Sequence, residues 1–517
     1  MNPFIYQEDY PVVQTKEGAL RGYEWNGTCI FKGIPYAHAQ RFRKPERVKP
    51  WDGVKEVQSY GYVSPLLHLE QPGGNGEMMV PHMYWPEKED CQNLNIWTPS
   101  IRDGRKRPVM VWLHGGGFSA GSSIEQLAYD GENLSRSGDV VVVSVNHRLN
   151  VLGYLDLSPF GEKYRDSANA GNLDLIAALE WIRDNIEGFG GDPENVTLFG
   201  QSGGGVKVWS LLQMPEADGL FHKGIIESGV VDPDLLGDAE DGNGREIVKA
   251  MLAELGLEEK DVDQLETLPY DQLAQAYENA APKVAQKGEY VGNHPHKNQS
   301  YFGDAIKHGF REETKKIPLL IGTVLGEFDF GPAISGKYEF TRKEVEEKVR
   351  DVLGEEGIEL IDEFLKIYPD KAPMDLLSVD TIFREPTIRF IKERVKCPDS
   401  KIYSFQFTYE FPMFDGKIAW HCSEIPFAFH NIDKVPVCNC GEETNRLQEQ
   451  ICQAWVSFAR TGKPEISGIE WPACADGDEA VMMLDKECRI RHNPDHELVN
   501  RLKKLQTAEH SVENVQH

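Results

Sequence analysis

A serine flanked by glycines at the end of an apolar run is the first residue in this chain whose setting could do chemistry. The stretch Phe189-Gly190-Gly191-Asp192-Pro193-Glu194-Asn195-Val196-Thr197-Leu198-Phe199-Gly200-Gln201-Ser202-Gly203-Gly204 passes from a turn through a β-branched run into a sharp bend. Val196 to Phe199 reads as a strand, with Ser202 at the apex of a strand-to-helix turn. Gly200 and Gly204 occupy the two positions where a side chain would collide with the neighbouring strand and helix. Such a turn forces the serine into strained backbone geometry and lifts its hydroxyl above the sheet. The chemistry that suits it is acyl transfer through a covalent serine intermediate.

Acyl transfer needs two further parts. Its tetrahedral intermediate carries a negative oxygen, and each fixed N–H aimed at that oxygen lowers the barrier by about 2.7–4 kcal/mol. Pro108 to Leu113 is a second apolar strand, ending in His114-Gly115-Gly116-Gly117-Phe118. Glycines let a backbone approach a ligand closely, so Gly116, Gly117 and Gly203 are the expected oxyanion donors. The serine also needs a base, and the base an orienting carboxylate. Ile317 to Val324 reads as a buried strand leading to Leu325-Gly326-Glu327-Phe328-Asp329. Lys401 to Phe407 reads as another, with Trp420-His421-Cys422-Ser423-Glu424 in the loop after it. We take Glu327 as the acid and His421 as the base. Asp329 and His430 are the rivals for those roles.

Residues this far apart can meet only if one sheet spans most of the chain. A length of 517 residues would allow three domains at about 150 residues each, but no Ser/Gly-rich or Pro-rich linker and no internal repeat divides it. Val140 to Val145 is nearly all apolar, as expected of a parallel strand covered on both faces. Asp174 to Ile186 repeats apolar residues at helical spacing. Helical patterns at Glu246 to Leu255 and Thr341 to Tyr368 break the strand–helix alternation. We read them as parts of two insertions, roughly 235–315 and 335–395, that wall the site from above. The expectation is an α/β chain forming one domain over 1–517, its large, mostly parallel sheet covered by helices on both faces. Gln71-Pro72-Gly73-Gly74-Asn75-Gly76 reads as a turn-rich loop, and Met78 to Trp85 as a pocket rim.

On these motifs the chain resembles the type-B carboxylesterases, the cholinesterase/carboxylesterase branch of the α/β-hydrolases. The resemblance runs from about Val12 to Pro472. It includes Phe31-Lys32-Gly33-Ile34-Pro35-Tyr36-Ala37, Arg41-Phe42-Arg43-Lys44-Pro45, Glu89-Asp90-Cys91 and Asn146-His147-Arg148-Leu149. Gly219-Leu220-Phe221-His222-Lys223, Ser228-Gly229 and Trp455-Val456-Ser457-Phe458-Ala459-Arg460-Thr461-Gly462 extend it. It implies an α/β-hydrolase fold and hydrolysis of carboxylic esters through an acyl-serine on Ser202, with no metal or organic cofactor. His421 is the implied base and Glu327 the implied acid, because this family uses glutamate there. Gln201 and Ser228 are implied as supporting residues. A lipase acting on long acyl chains and a non-catalytic adhesion or scaffold protein on the same fold are the alternatives.

Four departures stand out. Gln201 replaces the family's usual glutamate, so an extra buried negative charge beside His421 is absent; this argues against a cationic substrate such as choline. Gly203 replaces the usual alanine. Gly326-Glu327-Phe328 stands where Asp-Glu-Gly is usual, and Glu89-Asp90-Cys91 continues as Gln92-Asn93. Secreted members close a disulfide onto the position of Cys91, but its usual partner region, near 61–65, holds Ser64 and no cysteine.

The cysteine count of 9 is odd, so at least one is free. Dispersed thiols suit a reducing cytosol, here that of a microbe. Cys438-Asn439-Cys440 lacks companion ligands and reads as two loop cysteines. His294-Pro295-His296 reads as a solvated turn. Residues 1–20 carry Glu8 and Asp9 and no apolar core of signal-peptide length, and no run reaches the roughly 18 apolar residues of a membrane span. A net charge of −28 argues against nucleic acid and anionic membrane as partners. The expected partner is a small-molecule ester, with no obligate protein partner implied.

Overall fold

The computed structural model describes residues 4–67, 74–232 and 242–513. Gln71-Pro72-Gly73 and the first residues of the 235–315 insertion lie outside the described residues. An 11-stranded sheet organises the chain. In chain order its strands are β1 (Tyr23–Trp25), β2 (Thr28–Pro35), β3 (Asn93–Thr98), β4 (Arg107–Leu113) and β5 (Val141–Val145). They continue as β6 (Gly191–Gln201), β7 (Lys223–Glu227), β8 (Leu319–Val324), β9 (Ile402–Phe407), β10 (Ala480–Leu484) and β11 (Arg489–His492). Across the sheet the order is β11-β10-β9-β8-β7-β6-β4-β5-β3-β2-β1. β4 to β10 run parallel, and antiparallel strands close both ends.

The central strands are buried along their whole length, which explains why they read as unbroken apolar runs. Alternation divides them between two cores. Val109, Val111, Val143 and Leu198 face one core with Trp181 and Ile182 of α1 (Ala170–Asn185) and Trp209 of α2 (Gly203–Leu211). Met110, Trp112, Val142 and Phe199 face the other. Between β7 and β8 come α3 (Arg245–Glu254) and α4 (Tyr270–Ala285), which share a separate core with Leu152, Leu155 and Tyr164. Between β8 and β9 come α5 (Arg342–Ile367), interrupted at Gly354, and α6 (Arg384–Arg394). α7 (Glu442–Thr461) covers the second core with Leu447, Trp455 and Phe458.

Chain order reverses around β4. β5 lies on one side of it and β6 on the other, and open α/β sheets bind ligands above such a reversal, at the carboxyl ends of the strands. Both glycine-rich motifs emerge there. The register pairs Gly200 with Leu113, so the residues after β4 and after β6 leave the sheet side by side.

The reading of His294-Pro295-His296 as a solvated turn is corrected. Both histidines are buried, and the His296 ring lies 4.5 Å from that of Tyr290. Periodicity carries no information about such a packed loop. All nine cysteines are unpaired. Cys91 is fully buried and hydrogen-bonded to Ser64, the residue that stands in the 61–65 stretch in place of a cysteine. Among the described residues no helix is long and apolar enough to cross a membrane.

Candidate active site

Ser202 caps the end of β6 with φ 56° and ψ −128°, a conformation costly for any residue but glycine. The surroundings hold it there. Its N–H donates to Glu227 O at 2.8 Å, and its own carbonyl accepts from Val206 N–H. A Cβ on Gly204 would stand 1.9 Å from Leu113 O, and one on Gly200 2.5 Å from the Gly204 carbonyl carbon. Only glycine on both sides lets the turn close this tightly.

The carboxyl ends of successive strands deliver the other side chains. The loop 114–117 follows β4, Ser228 follows β7, Glu327 follows β8, and His421 follows β9 after a short hairpin. Glu327 Oε2 lies 2.5 Å from His421 Nδ1. Its other oxygen accepts from Ser228 Oγ at 2.6 Å and from Val324 N–H at 3.1 Å. The His421 N–H donates to Glu327 O. Phe383, at the start of α6, stacks on the imidazole at 5.2 Å and 15°.

The rivals lie elsewhere. Asp329 pairs with Lys417 at 2.7 Å, and His430 with Glu449 at 2.7 Å. Gln201 is fully buried, its Nε2 3.2 Å from both ring nitrogens of His421, its Oε1 accepting from Cys422 Sγ.

Ser202 and His421 border one cavity of about 380 Å³, with Gly116, Tyr129, Phe328 and Phe330 around it. Among the described residues the Ser202 hydroxyl makes no hydrogen bond to His421, a contact that is often long without substrate and tightens in the complex. Val80 and His82 of the expected rim also reach the cavity, whereas no residue of α3 or α4 does. The second insertion reaches His421 through Phe383.

The glycine loop is built so that its carbonyls are taken and its amides are not. Gly116 and Gly117 have φ of 77° and 60°. Gly116 O accepts from the N–H groups of Ser119 and Ala120; Gly117 O accepts from Lys207 Nζ. Among the described residues the N–H groups of Gly116, Gly117 and Gly203 have no protein acceptor. Gly203 opens α2, where helix amides are unpaired and the dipole favours negative charge. A Cβ on Gly203 would lie 2.3–2.4 Å from Gly117 backbone atoms, so the two backbones touch.

Several charged residues here escaped the sequence reading. Burial pushes the Glu227 carboxyl up to about 8, against a hydrogen bond from Trp455. Burial, then the Glu327 charge, pushes Asp380 up to about 7. Burial, then Glu227 and Glu327, raises Glu424 well above the carboxylate range. Glu125 borders the cavity. Lys207 alone left a sequence signal, a lysine inside the apolar run Gly205-Val206-Lys207-Val208-Trp209.

A nucleophile-type elbow after β6, set over a doubly covered parallel sheet, makes this an α/β-hydrolase. Within that fold the chain belongs to the carboxylesterase family, whose profile matches residues 9–502. It is 32% identical to the para-nitrobenzyl esterase of Bacillus subtilis (strain 168), over 94% of this chain and 97% of that one. It is 31% identical to the phenmedipham hydrolase of Pseudarthrobacter oxydans, over 95% and 99% of the two chains. A solved esterase from anaerobic Clostridium hathewayi, described as able to hydrolyse aliphatic aromatic polyesters, matches with 51% identity and a TM-score of 0.94, covering 97% of this chain and 99% of that one. The protein is a carboxylic-ester hydrolase.

Proposed function

We propose that Ser202, His421 and Glu327 form a catalytic triad and that the protein hydrolyses its ester through an acyl-serine. Ser202 Oγ attacks the ester carbonyl while His421 Nε2 takes its proton. Glu327, on Nδ1, holds the ring in the tautomer that leaves Nε2 free and stabilises the imidazolium. The N–H groups of Gly116, Gly117 and Gly203 take the oxyanion. The imidazolium then protonates the leaving alcohol. Water, deprotonated by the same histidine, cleaves the acyl-enzyme and releases the acid. Every proton in this cycle moves through His421, and no other group need be supplied. The observation that carries the proposal is the Glu327–His421 pair backing a cavity that Ser202 also borders, beside three unpaired backbone amides.

Tyr129, Phe328 and Phe330 around the cavity, with Phe328 52% exposed at its mouth, favour esters with an aromatic part. The polyester activity stated for the Clostridium hathewayi esterase supports extending this to ester groups along aliphatic-aromatic chains. One domain carries the reaction, since one sheet supplies every named residue. Nine unpaired cysteines fit a reducing cytoplasm. The test is Ser202→Ala on a short-chain aryl ester, with fluorophosphonate labelling of the unsubstituted protein. Loss on the order of 10⁶-fold in kcat is expected. Full activity in the variant overturns the proposal.

A further inference from the structure

Lys207 projects from α2 into the space beneath the glycine loop and is fully buried. Its Nζ donates to His114 O at 2.9 Å and to Gly117 O at 2.7 Å, and lies 3.5 Å from Gly115 O. An ammonium has three protons to donate, and here they meet the carbonyls of a single loop. Packing alone does not account for this. A buried ammonium is costly to hold, and an aliphatic side chain would fill the same space.

We propose that Lys207 is a positioning residue for the oxyanion loop, its ammonium pinning the backbone on either side of the Gly116 and Gly117 amides through His114 O and Gly117 O. The inference rests on the oxyanion role proposed above. In a planar trans peptide the N–H points opposite to the C=O. Gly115 O faces Lys207 and accepts from His114 Nδ1 at 2.9 Å, so the Gly116 N–H faces away from them. Gly116 O is held by Ser119 and Ala120, which fixes the Gly117 N–H on the side opposite to them. Gly117 O on Lys207 closes the loop. Three consecutive glycines have more conformational freedom to lose than any other sequence, and these anchors remove it before substrate arrives. A cation at the carbonyl ends also polarises the peptides, making their N–H groups stronger donors.

Burial pushes Lys207 down to about 7 even with the Glu125 carboxylate raising it. The other titratable groups facing it are His114 and His147, both pushed well below the usual histidine range by burial and then by Lys207 itself. Both imidazoles are therefore neutral, and Glu125 supplies the negative charge.

Lys207→Met and Lys207→Gln in the full chain test the proposal, screened by thermal melting and counted by fluorophosphonate labelling of Ser202. For the labelled fraction, kcat on a short-chain aryl ester is expected to fall about 10²-fold or more, with KM little changed. Affinity for an aryl trifluoromethyl ketone, whose serine adduct carries an oxyanion, should fall in step. Affinity for the matching methyl ketone should hold. Folded variants with unchanged kcat and unchanged trifluoromethyl ketone affinity overturn the proposal, whatever happens to their melting temperature. Should neither variant fold, the unsubstituted protein decides. Its affinity for the trifluoromethyl ketone should drop as Lys207 loses its proton on the alkaline side, and a constant affinity from about pH 6 to pH 10 overturns the role. Ser202→Ala separates the two levels. Activity surviving there removes the acyl-serine reading, whereas an inactive Ser202→Ala beside normal Lys207 variants removes only the positioning role.

Discussion

Replacing Glu327 by glutamine tests the orienting acid at the level of a single proton. Three donors meet the two carboxylate oxygens. Ser228 Oγ (2.6 Å) and Val324 N–H (3.1 Å) converge on Oε1, and His421 Nδ1 (2.5 Å) meets Oε2. Glutamine has one acceptor oxygen. Left at the Oε1 position, it satisfies two donors, while its NH₂ faces Nδ1. The flipped amide would set NH₂ against both Ser228 and Val324, at about 1–3 kcal/mol for each donor left unpaired. The first orientation therefore wins, and Nδ1 must accept. The ring proton moves to Nε2, which can no longer take the proton of Ser202. In serine triads the wrong tautomer reduces kcat about 10⁴-fold, roughly 5.4 kcal/mol of barrier. Asp329→Asn is the control. It loosens the Lys417 pair, whose lysine side chain is 1% exposed, and should lower the melting temperature while leaving kcat per active site near that of the parent. Both variants are assayed on an aryl ester with sites counted by fluorophosphonate. A larger kcat loss in Asp329→Asn than in Glu327→Gln would refute the assignment.

Two further outcomes follow from packing and charge. Gly203→Ala restores the residue usual in the family, yet its Cβ would meet the Gly117 backbone at 2.3–2.4 Å; misplacing that donor pair should reduce kcat about 10²-fold, and unchanged kcat with unchanged melting would show that the loop yields freely. Glu227→Gln concerns alkaline stability. The folded carboxyl, pushed up to about 8 from an ordinary 4.5, keeps its proton where the unfolded chain has lost it. Stability is therefore fully present below about 4.5 and declines as pH rises through about 8. Glutamine does not titrate and its oxygen can still accept from Trp455, so the variant's melting temperature should gain on the parent's from pH 5 to about pH 8 and level off above that. A pH-independent difference would contradict the buried, protonated state of Glu227.

Much of the frame of the candidate site was legible because it follows from strand ends. Apolar runs at Pro108 to Leu113 and Val196 to Phe199 fixed β4 and β6, and the glycines after each are demanded by close backbone contact. The strands before Glu327 and His421 were visible for the same reason. What local pattern could not give was distance across the fold. Asp380 comes near Glu327 only because the loop before α6 returns over β8, where Asp380 N–H donates to Leu325 O. Phe383 stacks on His421 through that same return. Glu227 looks like the end of an ordinary strand, and only burial beneath α7 raises its carboxyl. His294 and His296 read as polar loop residues because burial in a packed loop has no period.

Gln201 makes sense against these carboxyls rather than against its neighbours in sequence. Glu327 meets three donors, while Glu227, Glu424 and Asp380 crowd the same interior and resist ionisation. A glutamate at 201, fully buried and 3.2 Å from the imidazole, would add one more charge to be desolvated in a region that already suppresses three. The amide instead meets the ring without charge and accepts a hydrogen bond from the Cys422 thiol on Oε1. On the proposed mechanism the imidazolium is consequently stabilised by Glu327 and not from position 201. On the proposed mechanism Glu327 is the carboxylate that orients His421, so a neutral substitute is expected to cost activity at 327 even though the chain carries one at 201.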